Sequence, residues 1–319
     1  MPTPLPRADN FAAYTTVRLD RRGALLNGRD PVPPAQVASW LAGHLSVPAA
    51  ITDIVVFVHG WQNSHRRASA SSRRLFAGLW SGYSPDRYPR LSPFRPMFVS
   101  VQWPSRSDPL PAGYKRIRDR AHAMTTTGYA AHVIAALLGY LDASRNRPHG
   151  PDTLRTSGGQ YLHCVGHSFG CRFLGEAISY AADPPDAPTL GWPWHSREPF
   201  SVDTFLGLQM AARPDIFQEQ FRALVDGTAP ISGPVVLTVS PHDKALATWH
   251  PFTEKVRGLG AVGADGAPTV PLRATAETYA STDFQRLTNV DASWRYGGHS
   301  DFWYPETIHL MLSLMELGR

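Results

Sequence analysis

Cysteine is almost missing from this sequence: Cys164, in an apolar run, and Cys171, just beyond it, are the only two. A short strand, turn and helix seldom presents two Cβ atoms at bonding distance, so two buried thiols are expected in place of a disulfide framework. Long apolar runs are missing too. The stretch at 129–141 is broken by His132, Gly139 and Tyr140, well short of the roughly 20 apolar residues of a membrane helix, so no integral membrane association is expected. Residues 1–10 are proline-rich with no apolar segment behind a basic start. A cytoplasmic location is therefore expected, although a secreted chain already freed of its leader would read the same. There is no internal repeat and no low-complexity tract.

Acidic residues are in modest deficit, 26 against 31 Lys and Arg, for a net charge of +5. The basic run Lys115, Arg116, Arg118 and Arg120 invites a nucleic-acid reading. Asp119 interrupts it, and neither zinc-ligand spacing nor an RNA-recognition signature accompanies it, so a solvated helix face is the better reading and no nucleic-acid partner is expected. Attraction to an anionic substrate or membrane surface stays open.

What remains is a chain of 319 residues, 43% hydrophobic and 18% charged, sized for one large core and expected to form a single domain. Short apolar runs recur at 53–58, 97–103, 161–166, 202–208 and 235–240, with a weaker one at 285–290. Helix-like patterns lie between them at 65–80, 114–144, 168–182, 214–225, 243–257 and 304–317. Strands alternating with helices imply an α/β fold with a mostly parallel sheet covered on both faces. Within the N-terminal 50 residues, 14–27 suggests an antiparallel edge hairpin. Stretches at 82–96, 183–200 and 258–283 are rich in proline, glycine and aromatic residues. The last two are candidate site-lining insertions, with ordinary surface loops as the alternative.

Gly166, His167, Ser168, Phe169 and Gly170 form a G-x-S-x-G pattern between an apolar run and a helix-like segment. A sharp strand-to-helix turn there would expose the serine hydroxyl above the sheet, with the helix N-terminus favouring developing negative charge. Serine needs a base, and the base needs an acid to hold its tautomer. The run at 235–240 leads directly into Asp243, beyond the strand end where open α/β sheets keep their sites. Asp215, after the preceding run, is the alternative acid, while Asp203 begins that run at the wrong end. Either candidate acid could instead cap its helix. Among 13 histidines, His299 lies in a glycine-rich loop before the last helix and is the expected base. His59 is read as shaping its loop, His163 lies in a strand, His132 and His309 in helices, and His167 points away from its neighbour. The Phe169 and Trp61 amides are the expected oxyanion donors. His167, Trp103, Trp192 and Trp194 are candidate substrate-lining residues.

These residues resemble the α/β-hydrolase superfamily, and within it a little-characterised bacterial branch of esterase- and lipase-like proteins. The resemblance rests on His59, Gly60 and Trp61 with Asn63; on Trp103, Pro104 and Ser105; and on Tyr114 with Arg118 and Arg120. It continues through Pro214 and Asp215, the S-x-x-D-x-A-L stretch at 240–246, and Gly298, His299 and Ser300. Gln102 stands where that branch has serine. The resemblance covers residue 50 to the end. It implies a serine hydrolase acting on a small ester or lipid-like substrate, with Asp243 as the acid and no cofactor or metal. An amidase, peptidase or thioesterase on the same residues is the alternative, and a non-catalytic binding protein the alternative of another class.

Overall fold

The apolar run at 53–58 is a strand with all six side chains buried, and 96–102 another with all seven buried. Strands of this kind need cover on both faces and so belong inside a parallel sheet. The computed structural model, which describes residues 13–108, 110–145, 160–182 and 200–319, places them there. The strands are β1 (Ala13–Arg18), β2 (Leu26–Asn27), β3 (Asp30–Pro31), β4 (Asp53–Val58), β5 (Pro96–Gln102), β6 (Tyr161–His167), β7 (Thr204–Leu208), β8 (Val235–Val239), β9 (Thr269–Pro271) and β10 (Leu287–Asp291). The helices are α1 (Val37–His44), α2 (His65–Gly82), α3 (Pro111–Thr126), α4 (Ala130–Ser144), α5 (Phe169–Tyr180), α6 (Ala223–Asp226), α7 (His250–Glu254), α8 (Leu259–Val262) and α9 (Pro305–Leu317).

Eight strands form one sheet in the order β1-β5-β4-β6-β7-β8-β10-β9, every pairing parallel. The pleat divides each strand between two cores. Ile54, Val56 and Val58 of β4 join Met97, Val99 and Val101 of β5 on one face, beneath Ile117 of α3, Ile134 and Leu138 of α4, and Phe173 and Leu174 of α5. Val55 and Phe57 join Phe98 on the other, beneath Leu75, Phe76 and Leu79 of α2 and Leu310, Met311 and Leu314 of α9. Each large apolar side chain buried this way contributes about 1.5–3 kcal/mol.

From β4 the chain builds outward to β5 on one side and to β6, β7 and β8 on the other, so the order reverses between β4 and β6. Loops leaving the carboxyl ends of those two strands diverge and open a crevice, the usual place for a site in such sheets. The loop after β4 carries Gly60 and Trp61, and β6 is followed by Ser168.

Several local expectations need correction. The edge strand β1 pairs parallel with β5, and the antiparallel pairing within 14–27 is reduced, among the described residues, to the single bridge Leu19–Leu25, with β2 and β3 forming a separate short antiparallel pair. Asp20 Oδ1 accepts from the Arg22 and Ala24 N–H groups at 2.8 Å each, turning the chain off the sheet into the crossover that contains α1. The helix expected at 114–144 is two, α3 and α4, because the Arg22 carbonyl enters the break and accepts from Tyr129 N–H at 2.8 Å. The segment at 214–225 holds only a 3-10 turn, Pro214–Phe217, and the one-turn α6, which stops at Gly227 in a left-handed conformation. The segment at 243–257 is a π-type turn, Ala245–Trp249, followed by the short α7. Residues 258–283 supply α8 and the edge strand β9, and most of 183–200, with Trp192 and Trp194, lies outside the described residues. Both cysteines are free and buried, and burial pushes both thiols up. Among the described residues no helix is long and apolar enough to cross a membrane.

Candidate active site

β6 ends at His167, and the chain turns through Ser168 into α5. Ser168 has φ 55° and ψ −122°. A non-glycine residue held there costs about 1–3 kcal/mol, so the surroundings must over-determine the turn. Its N–H donates to the Leu208 carbonyl of β7 at 2.9 Å. A Cβ on Gly170 would stand 2.1 Å from the Val58 carbonyl oxygen, so glycine alone lets α5 start against the end of β4.

His299 Nε2 lies 2.8 Å from Ser168 Oγ, and its Nδ1 lies 2.7 Å from Asp243 Oδ2. The carboxylate only accepts, so Nδ1 carries the proton and Nε2 keeps its lone pair for the serine O–H. Asp243 follows β8, and its Oδ1 accepts from Leu246 N–H at 3.0 Å. Ser168 and Asp243 are fully buried, while the His299 side chain keeps 13% of its surface open. The glycine-rich loop that carries His299 is pinned by side chains. Ser240 Oγ donates to the Tyr296 carbonyl at 2.8 Å, Gly297 N–H to Asp301 Oδ2 at 3.0 Å, and His167 Nε2–H to the His299 carbonyl at 2.8 Å.

The opposite wall is the loop after β4. A Cβ on Gly60 would lie 2.7 Å from both Ser168 Cβ and His167 Nδ1, so this backbone rests directly on the serine turn. Its carbonyl accepts from His59 Nδ1 at 2.8 Å and Asn63 Nδ2 at 3.1 Å. Because a trans peptide points its C=O and N–H in opposite directions, those two bonds turn the Trp61 N–H away from His59 and Asn63. His59 Nε2 in turn accepts from Trp103 N–H at 3.2 Å, which defines a neutral ring, and burial lowers its pKa to about 4. Ser105 joins the two loops by accepting from Asn63 N–H at 3.1 Å, and its carbonyl accepts from Gln62 N–H at 3.2 Å. The shared motifs thus build one frame. Phe169 is the first residue of α5, where a helical N–H has no partner within its helix.

Other expected site residues are placed differently. Trp103 is 1% exposed, its indole donating to the His59 carbonyl at 2.7 Å and packing on Phe173, so it belongs to the frame and lines no open space. His167 is likewise buried between His299 and Phe302, and burial together with His299 holds its pKa well below the usual histidine value. Asp215 sits apart from His299, on Arg213 at 2.7 Å, and that hydrogen bond lowers its pKa. Asp203 is buried at the other end of the sheet, paired with Arg145 at 2.6 Å. His163 bridges Asp53 and Thr204 there. His309, in α9, donates from Nε2–H to the Glu277 carbonyl at 2.8 Å and accepts at Nδ1 from the Tyr88 O–H at 2.7 Å. The residue that motif reasoning missed is Gln209, after β7, whose Nε2 donates to Asp243 Oδ2 and the Gly298 carbonyl at 3.0 Å each. A lone glutamine carries no motif, and only its place after an apolar strand marks it. Among the described residues no cluster of three or more His, Cys, Asp or Glu side chains could hold a metal ion.

Over residues 34–314 the sequence matches the family described as alpha/beta hydrolase of unknown function (DUF900). The chain belongs to this family. No curated protein matches the hydrolase. Among solved structures it is similar to esterase B from Lactobacillus rhamnosis, at 14% identity and a TM-score of 0.38, over 83% of this chain and 75% of that one. It is also similar to a lipase-esterase related protein from Clostridium acetobutylicum, at 10% identity and a TM-score of 0.31, over 82% and 93%. Likenesses this remote carry no argument about the reaction.

Proposed function

We propose that this hydrolase cleaves carboxylic esters through an acyl-Ser168 intermediate. The observation that carries the reading is the hydrogen-bonded chain from Ser168 Oγ through His299 to Asp243, built on a strained turn at the crevice of the sheet. Backbone strain of about 1–3 kcal/mol kept at a serine that contacts a base favours a reacting group over a relic binding surface. His299 Nε2 takes the hydroxyl proton as Oγ attacks the ester carbon. The oxyanion is held by the Phe169 and Trp61 amides, the first at the α5 N-terminus and the second turned by the Gly60 carbonyl bonds. His299 then protonates the leaving alcohol, and a water activated by the same imidazole returns the acid and free Ser168. Asp243 holds the tautomer throughout. The ester preference comes from the resemblance, since the same groups serve amides and thioesters.

A panel of p-nitrophenyl esters of graded acyl length, run beside matched anilides and thioesters, tests the substrate class. Ester turnover well above buffer, lost in Ser168→Ala, is expected. Clear anilide or thioester turnover without ester turnover would reverse the assignment.

A further inference from the structure

Gln209 is fully buried with φ 46°, in the left-handed region that favours glycine. Its side-chain Oε1 is buried without a hydrogen-bond partner. A strained backbone and an unmatched polar atom both oppose folding, and a glycine here would remove both. Something else holds the glutamine. Its Nε2 reaches two acceptors at 3.0 Å: Oδ2 of Asp243, the oxygen that also accepts from His299 Nδ1, and the carbonyl of Gly298, directly before His299. The amide orientation is forced, because a flipped amide would set its oxygen against both acceptors. Gln209 N–H is itself tied to β8 through Thr238 Oγ1 at 3.1 Å.

Resting on the serine hydrolase reading above, we propose that Gln209 is a positioning residue that clamps the acid to the base loop. One NH2 group bonded to both partners sets the separation of Asp243 from the peptide that carries His299. Without it the carboxylate keeps, among the described residues, Leu246 N–H and the imidazole as donors, and the glycine-rich loop loses the bond to the peptide directly before its histidine. Gln209 touches neither Ser168 Oγ nor the oxyanion amides in this arrangement, so its effect belongs to the proton transfer and not to substrate binding.

Gln209→Met keeps most of the volume and the strained backbone but removes the amide; Gln209→Gly removes both the amide and the strain. The measurements are kcat and KM on a p-nitrophenyl ester, the rate of phosphonylation by an alkyl fluorophosphonate, circular dichroism, and the downfield proton NMR signal of His299 Nδ1–H. For both variants kcat and the phosphonylation rate should fall about 10- to 100-fold, the range for a hydrogen bond to a charged group. KM should hold and the downfield signal should broaden or vanish. Should Gln209→Met not fold, Gln209→Gly carries the test alone. A folded Gln209→Gly that reacts at the wild-type rate with its downfield signal intact overturns the proposal and leaves the hydrolase reading standing. A wild-type chain that is itself inert to the fluorophosphonate overturns that reading and the clamp with it.

Discussion

Replacing Asp243 by asparagine tests the site where the structure is most constrained. Three donors converge on this buried carboxylate: His299 Nδ1–H at 2.7 Å, Gln209 Nε2 at 3.0 Å and Leu246 N–H at 3.0 Å. Asparagine offers one acceptor oxygen and one NH2 group. With the oxygen toward His299 and Gln209, its NH2 opposes the Leu246 N–H; in the other orientation it opposes Gln209 and His299 Nδ1. A buried donor left facing a donor costs about 1–3 kcal/mol. The second orientation also drives the imidazole proton to Nε2, which removes the lone pair that Ser168 needs. A tautomer fault of this kind lowers kcat about 10⁴-fold in other triads, about 5 kcal/mol. Asp243→Asn should therefore fold by circular dichroism yet hydrolyse the best p-nitrophenyl ester about 10⁴-fold more slowly. Asp215→Asn, whose parent carboxylate sits on Arg213, should keep wild-type turnover. If Asp215→Asn proved inactive while Asp243→Asn stayed within about tenfold of wild type, the reasoning would be refuted.

Gly60→Ala should lower kcat by about 10²-fold or more, the loss seen when an oxyanion donor is displaced, because its Cβ would stand 2.7 Å from Ser168 Cβ; unchanged kcat would contradict the loop's role. His59, fully buried, is held neutral at a pKa of about 4 against an ordinary 6.5. Between those values the unfolded chain binds a proton that the folded chain refuses, so its contribution is complete above pH 6.5 and is lost as pH falls toward 4. The melting temperature should drop over that window, and less steeply in His59→Gln; equal slopes would argue against it. Arg145→Met leaves the buried Asp203 carboxylate without its cation and should cost about 3–5 kcal/mol in urea unfolding; a loss under about 1 kcal/mol would contradict the pairing.

The parallel sheet was legible because β4, β5 and β8 are apolar at nearly every position, and Ser168 and Asp243 could be singled out because β6 runs into the G-x-S-x-G pattern and β8 ends just before Asp243. The failures share a cause: local pattern does not report what docks against it. The break between α3 and α4 depends on a carbonyl at Arg22, far away in sequence, and the 214–225 segment has helical composition yet ends its turn at Phe217. Trp103 and His167 looked like lining groups because aromatic residues near a motif suit a pocket. Their burial follows from bonds to His59 and to the His299 carbonyl, partners more than 40 residues away in sequence. Gln209 shows the limit most clearly. Its importance lies in where β7 ends relative to β8 and the loop carrying His299, which is a property of two strands and a loop and not of one segment.

The central claim, that Ser168 is the atom that reacts, is tested most directly by intact mass and peptide mapping after treatment with an alkyl fluorophosphonate. Attack of Ser168 Oγ on phosphorus with loss of fluoride should leave one adduct per chain, on the peptide containing Ser168, and His299→Ala should slow its formation by orders of magnitude. Ser168→Ala should take up none. An adduct of equal yield on Ser168→Ala, or one mapped to another residue in the wild type, would contradict the account.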